Sequence, residues 1–337
     1  MKYHPTSLFL CLSLVSAAMA GPLPKDQIAS DTKWLLHFDF DEFRSTRVGG
    51  FLVNDILQKQ VGPALDELKR EFQFTLDANK VLNQINSITA YGTDYQSPRN
   101  SAVVLFRTHS EVQTAFVGAL AGFALAGTNT PAMVEQTQQG DIAFYSVRDK
   151  VFLAVLPGKV VVVGRSRDMT QKAADVLAGK SPNLTSSKAF SEFPDVRKTF
   201  FFLATAEGFS AETALPPQAK ILQMADGARV ALGENAERLF IDLALKGRNS
   251  DVVTQMHQVV QGLIAFASLG QTENPELAQL IRGIRVSADD KIVRLNVEYP
   301  VARAIEQVKE NNVNFFIRPA PSGSNDASDS APEPGAE

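Results

Sequence analysis

Hydrophobic and polar residues alternate in short runs along this chain. In the run KWLLHFDF, from Lys33 to Phe40, one side is aromatic or aliphatic, whereas His37 and Asp39 fall on the other side. Residues two apart share a face of a strand, so this period predicts a strand. Similar runs predict strands at Ile85–Tyr91, Ala102–Arg107, Ile142–Val147, Val151–Leu156, Val160–Val163, Thr199–Thr205, Ala228–Leu232, Ile284–Ser287 and Ile292–Glu298.

Helices are predicted where apolar residues recur at three- and four-residue spacing. After the first strand, Asp41 is the expected N-cap, and Glu42 follows in the first turn, where a carboxylate favours the helix dipole. The predicted helices are about Phe43–Leu57, Ala64–Phe74, Val112–Ala126, Asp168–Ala178 and Val301–Asn311. Ser110 and Gln113 form a capping box at the start of the third of these helices, and Asp168 is the expected cap of the fourth.

One stretch of the chain has a partner about 140 residues later. Both Ser101–Gly127 and Leu239–Leu269 have a strand, a polar turn and a helix in that order, and Gly122 of the first corresponds to Gly262 of the second. Strands joined by short turns pair antiparallel, and helices grouped between such runs are typical of α+β layers. We therefore predict an α+β fold of two tandem repeats, each a mostly antiparallel sheet with helices packed on one face.

Composition sets the predicted boundaries of these units. The first repeat is expected at residues 21–180, a polar linker at 181–195, and the second repeat at 196–318. Residues 319–337 consist mainly of Pro, Ser, Ala and acidic residues without apolar periodicity. Such composition cannot bury a core, so a disordered tail is predicted.

The first 20 residues resemble a secretory signal peptide. Lys2 precedes an apolar run from Leu8 to Val15, and Ala18-Met19-Ala20 supplies a small-x-small ending. The alternative is an uncleaved anchor, but the run is shorter than the roughly 20 apolar residues that a span requires. We predict cleavage after Ala20, a secreted or periplasmic protein, and no transmembrane segment in the mature chain.

Composition excludes several classes of function. The only cysteine, Cys11, lies in the leader, so the mature chain would have no disulfide, no thiolate metal site and no cysteine nucleophile. Removing Lys2 from 33 basic residues leaves 32, against 37 acidic residues. Such a chain has no basic patch for nucleic acid and no Lys/Arg run for lipid head groups.

Three polar residues form the sharpest candidate for chemistry. His37, Asp39 and Asp41 alternate, and a strand would project them on one side. An imidazole and two carboxylates could bind a divalent metal ion or act as an acid/base pair. The alternative is a solvent-facing strand edge that ends in a helix cap. No G-x-S-x-G, H-E-x-x-H or G-x-G-x-x-G motif is present, so no cofactor is predicted.

The same region carries a family resemblance. His37–Arg44 (HFDFDEFR), followed by Gly49–Leu52 (GGFL), resembles the beginning of an uncharacterised family of secreted bacterial proteins with an H-x-D-x-D opening strand. That family has no assigned activity. The resemblance therefore implies export and a fold but no catalytic residue.

These observations favour an exported, non-enzymatic protein of the cell envelope that binds a protein partner or a small ligand through a duplicated α+β scaffold. One alternative is a metal-dependent enzyme that uses His37, Asp39 and Asp41. Another is a structural component of the envelope. An enzyme should bring further carboxylates or histidines close to His37.

Overall fold

The strands form one antiparallel sheet. The computed structural model describes residues 23–53, 83–109, 134–157, 159–193, 195–196, 199–209, 224–269 and 275–310. The strands are β1 (Trp34–Asp39), β2 (Ile85–Gly92), β3 (Ala102–Thr108), β4 (Val134–Gln139), β5 (Ile142–Val147), β6 (Val151–Leu156), β7 (Val160–Gly164), β8 (Phe202–Glu207), β9 (Ala225–Asn235), β10 (Arg238–Gly247), β11 (Ile284–Ala288) and β12 (Ile292–Pro300). The helices are α1 (Phe40–Ser45), α2 (Arg47–Phe51), α3 (Arg167–Leu177), α4 (Ser250–Leu269), α5 (Pro275–Arg282) and α6 (Val301–Glu310), with short 3₁₀ helices at Lys25–Gln27 and Leu184–Ser186.

The order of the strands joins the two predicted halves. The sheet has 12 strands in the order β11-β12-β10-β9-β8-β1-β2-β3-β7-β6-β5-β4. β1 pairs antiparallel with β2 on one side and with β8 on the other. The α+β class and the mostly antiparallel pairing are therefore confirmed. The pairing of β1 with β8 makes one continuous sheet of strands from both sides of residues 181–195.

The side chains of β1 define the two faces of the sheet. Leu35 is fully buried on one face, and Phe38 packs on the other. We call these the Leu35 face and the Phe38 face. Because successive side chains alternate and the registers are known, each residue in the paired strands can be assigned to one of them. His37, for example, lies opposite Thr89 of β2, and both are on the Leu35 face.

Helix α3 packs on the Leu35 face. Ala173, Ala174 and Val176 of this helix form one core cluster with Leu35 and its neighbours on β2, β3 and β7. The N-terminal segment also contributes, because Ile28 is fully buried there. Its carbonyl accepts a hydrogen bond from the backbone N–H of Leu184, which ties part of the predicted linker to this core.

The other described helices that contact the sheet cover the Phe38 face. Phe38 clusters with Val48 of α2 and Val301 of α6. Val253 and Met256 of α4 pack on Leu245 and Val293, which point to the same face. The expectation that helices pack on one face is thus corrected. Apolar residues on both sides of the central strands require cover on both sides.

Several helix ends differ from the prediction. The helix expected at about Phe43–Leu57 is interrupted at Thr46, whose hydroxyl accepts from the Gly49 N–H at 2.9 Å and begins α2. Ser166, rather than Asp168, caps α3. Strand β4 and helix α5 were not predicted. The signal peptide, the helices expected at Ala64–Phe74 and Val112–Ala126, and the tail lie outside the described residues.

Candidate functional site

His37 is a buried imidazole in the middle of the sheet. It is 2% exposed, and its Nδ1 lies 2.8 Å from Thr89 Oγ1 on the adjacent strand. Its Nε2 has no hydrogen-bond partner among the described residues. Burial, with a smaller contribution from the charge of Arg107, lowers the pKa of His37 to about 4. The ring is therefore neutral near pH 7, with one nitrogen bonded inside the sheet.

Asp39 is used to cap helix α1. Its Oδ1 accepts hydrogen bonds from the backbone N–H groups of Asp41 and Glu42, at 3.0 and 2.9 Å. The predicted cap, Asp41, is therefore wrong by two residues: the chain becomes helical at Phe40, and the residue before it takes the cap position. Burial raises the pKa of Asp39, and the hydrogen bond from Glu42 opposes that shift.

Asp41 belongs to a surface network. Its Oδ1 lies 2.7 Å from Arg44 Nη1 and 2.8 Å from His109 Nε2, and its other oxygen accepts from the Asn86 amide. The sequence pattern places His109 only in a turn and gives no signal for this contact.

The three predicted residues thus occupy three environments: a buried ring, a helix cap and a surface network. Within the described ranges, no group of three His, Cys, Asp or Glu residues is arranged to hold a metal ion. The geometry therefore adds no support for the predicted metal site at His37, Asp39 and Asp41, which stays a prediction.

A different site lies farther along the sheet. An open groove of about 520 Å³ crosses β10, β12 and β11 on the Leu35 face. Its polar lining includes Asp242, Arg285, Arg294, Asn296 and Glu298, and Phe240 forms an aromatic wall. None of the described helices packs over this part of the face, whereas α3 covers the corresponding face of β3 and β7.

Strand register brings these residues together. Asn296 of β12 lies opposite Asp242 of β10 and opposite Arg285 of β11, so the three form a row across three strands. Arg294, two residues before Asn296, points to the same face in the next row. The polar positions of neighbouring strands therefore form a surface, although they are far apart in sequence.

The groove combines both signs of charge. Arg229 of the adjacent strand β9 is 6% exposed, with its Nη2 3.9 Å from Asp242 Oδ2. Burial lowers the pKa of Arg229, and the charge of Asp242 acts in the opposite direction. Arg294 of the lining has its Nη2 3.1 Å from Asp289 Oδ2. Guanidinium groups can bind a planar anion with two hydrogen bonds, and the carboxylates can accept from a cation.

Sequence reasoning did not single out these residues. On β10 and β12, charged or amide side chains alternate with apolar ones, a pattern typical of any strand with one solvated face. The sequence does show charged residues of both signs at alternating positions of these strands. They can be recognised as one site only once the pairing of the strands is known.

Helix α4 has a second notable property. Among the helices of the described ranges, it alone is long and apolar enough to cross a membrane by length and composition; an 18-residue stretch of it has a mean hydropathy of 1.2, and 17% of that stretch is buried.

Comparisons with known proteins identify no family. No family model matches the chain, and no curated protein does. Among solved structures, the chain is similar to TP0453 in crystal form III, with 9% identity, a TM-score of 0.46, and coverage of 86% of this chain and 99% of that one. Crystal forms I and IV of TP0453 give TM-scores of 0.44 and 0.43 at 10% identity. TM-scores this low carry no argument about function.

Proposed function

We propose that this protein is an exported, non-enzymatic component of the cell envelope that binds a small polar ligand in the groove of β10, β12 and β11. The observation that carries the proposal is the groove itself. Its volume of about 520 Å³ falls within the range of roughly 300–1,000 Å³ that is typical of ligand sites. It lies on a rigid sheet, so its residues are held in place before a ligand arrives.

The charges of the groove favour a ligand that carries both signs. Arg285 and Arg294 can bind a carboxylate, and Asp242 and Glu298 can accept from an ammonium group. A purely anionic ligand would be repelled by the carboxylates, and a purely cationic ligand would be repelled by the guanidinium groups. An amino acid or a short peptide has the required chemistry.

We further propose that the scaffold arose by duplication. The order of strands supports this, since β1-β2-β3-β7-β6 on one side of the centre corresponds to β8-β9-β10-β12-β11 on the other. The support comes from topology rather than from matched residues. In the sequence, Gly92 after Ile88–Tyr91 corresponds to Gly233 after Ala228–Leu232, but in the sheet Gly92 lies on the Phe38 face and Gly233 on the Leu35 face.

The ligand proposal can be tested by thermal unfolding of the exported chain with free amino acids and dipeptides at millimolar concentrations. A ligand that binds only the folded protein raises Tm in proportion to RT ln(1 + [L]/Kd). We expect at least one of these compounds to raise Tm. We expect Arg294→Ala to abolish the increase, because it removes a guanidinium group from the groove.

Arg167→Ala is the matched control. Arg167 is an exposed arginine on α3 that contacts Asp149 at 3.5 Å and the ring of Phe152, far from the groove in the sheet order. It should leave the ligand-induced increase in Tm unchanged. The proposal is wrong if no compound raises Tm, or if Arg294→Ala and the wild type respond equally. Mass spectrometry of the exported chain tests export separately, with an N-terminus at Gly21 expected.

A further inference from the structure

The outer side of α4 has an apolar stripe without charge. Val259, Leu263, Phe266 and Leu269 are 43%, 59%, 76% and 76% exposed. From Val252 to Leu269 the helix has no Asp, Glu, Lys or Arg, although only Val253, Met256 and Val260 in it are buried. Surface helices of soluble proteins usually have charged residues on the side that faces water.

The exposure increases along the helix. Val253 and Met256 lie in its first half and pack toward β10, β11 and β12, whereas Leu263 and Phe266 of the second half are 59% and 76% exposed. The most apolar part of the helix is therefore also its most exposed part. A single exposed leucine is ordinary, but a contiguous stripe that includes an aromatic residue marks a contact surface.

We propose that this stripe, Val259–Leu269, rests on the surface of a lipid bilayer, with α4 lying in the plane of the interface. Apolar side chains at the boundary between head groups and acyl chains leave water without needing a complementary protein surface. The lack of charge along the stripe removes the cost of bringing ionised groups to that depth.

Size argues against a second copy of the chain as the partner. With Leu280 of α5, which is 38% exposed, the apolar side chains of this region offer on the order of 500 Å². A stable dimer buries about 800 Å² per partner and surrounds its apolar centre with polar contacts. The stripe is smaller than that.

Packing argues against a transmembrane arrangement. Although α4 is long enough to span, Val253 and Met256 are held in a core cluster with Leu245 and Val293. A helix crossing the bilayer would have to leave that cluster and expose the sheet. An orientation parallel to the membrane uses the outer side only and keeps these contacts.

The test is sedimentation of the exported chain with vesicles of phosphatidylcholine, which carries no net charge. We expect binding that changes less than twofold between low and high salt, because the stripe has no basic residue. The triple variant Leu263→Gln, Phe266→Gln, Leu269→Gln should bind at least tenfold more weakly. Val134→Gln changes an apolar residue that is 50% exposed on the edge strand β4; it is the matched control and should bind like the wild type.

A second measurement locates the helix. In a Trp34→Phe background, Phe266→Trp places the single tryptophan on the stripe, and its emission should shift to shorter wavelength when vesicles are added. Quenching should be strongest with lipids brominated near the head group; strongest quenching at the bilayer centre would instead indicate a span.

Two results would overturn the proposal. One is equal vesicle binding by the triple variant and the wild type while circular dichroism shows both folded. The other is concentration-dependent dimerisation that the triple variant abolishes, with no binding to vesicles, which would assign the stripe to a second copy. Neither result bears on ligand binding in the groove, which is on the opposite face of the sheet.

Discussion

The buried imidazole of His37 makes stability depend on pH, and His37→Asn isolates that dependence. Asparagine can place a polar atom near the position of Nδ1 and so keep a hydrogen bond to Thr89, but it does not titrate. His37 is 2% exposed, so its charged form would lie in the sheet without solvation. Protonation therefore favours the unfolded chain.

The size of the effect follows from the two pKa values. The pKa of His37 is about 4 in the folded chain and 6.5 in the unfolded chain. Its contribution to stability is complete above pH 6.5 and is lost as the pH falls toward 4. Each pH unit in that window costs about 1.4 kcal/mol. Between pH 7 and pH 5 the loss is about 2 kcal/mol, a large part of a typical folding free energy.

The assay is urea unfolding at pH 7 and pH 5, followed by the fluorescence of Trp34, the only tryptophan in the chain. The wild type should lose about 2 kcal/mol more than His37→Asn between these two pH values. Carboxyl groups that titrate in the same range are common to both proteins and cancel. Losses that agree within about 0.5 kcal/mol would refute the assignment of a buried, neutral His37.

Two other predictions concern backbone features. Asp39→Ala should cost about 1 kcal/mol and more than Asp41→Ala, because Asp39 caps α1, whereas Asp41 makes surface contacts that contribute little. Urea unfolding of both variants tests this, and an equal or larger cost for Asp41→Ala would contradict it. Gly92→Ala should destabilise by about 1–3 kcal/mol, since a Cβ there would be 2.5 Å from the Trp34 ring. Gly50→Ala, with no atom within 4 Å of its Cβ, should stabilise by up to about 1 kcal/mol in the same assay, and the reverse order would exclude this account of the packing.

Most of the strands that were predicted from sequence have a buried face; the edge strand β11 is an exception. Leu35, Val103 and Val162 belong to runs in which every second residue is apolar, and each lies in the core. Strand β4 was missed for the converse reason, because all of Val134–Gln139 is exposed at the edge of the sheet. An edge strand is held by its backbone hydrogen bonds to one neighbour, which leave no hydrophobic period to detect.

Helix ends were less predictable because several residues could cap each helix. Asp39 and Asp41 both precede the first helix, and the choice depends on where β1 stops pairing. The break at Thr46 has a similar origin. As a cap, its hydroxyl accepts a hydrogen bond from the backbone N–H of Gly49; in a continuous helix that N–H would bond to a backbone carbonyl instead. The packing of Val48 in one cluster with Phe38 favours the break.

The groove could not be predicted, because it depends on which strands become neighbours. Asp242 and Asn296 are 54 positions apart in the sequence and face each other only because β12 pairs with β10. The alternation on β10 is also compatible with an ordinary solvated face. The two halves of the Leu35 face differ in whether one of the described helices covers them. Helix α3 buries the Leu35 face beside Val103, so those positions must be apolar, whereas no described helix covers Asp242 and Arg294. Charged residues can therefore remain there, on a rigid surface, and that is the condition a binding site for a polar ligand requires.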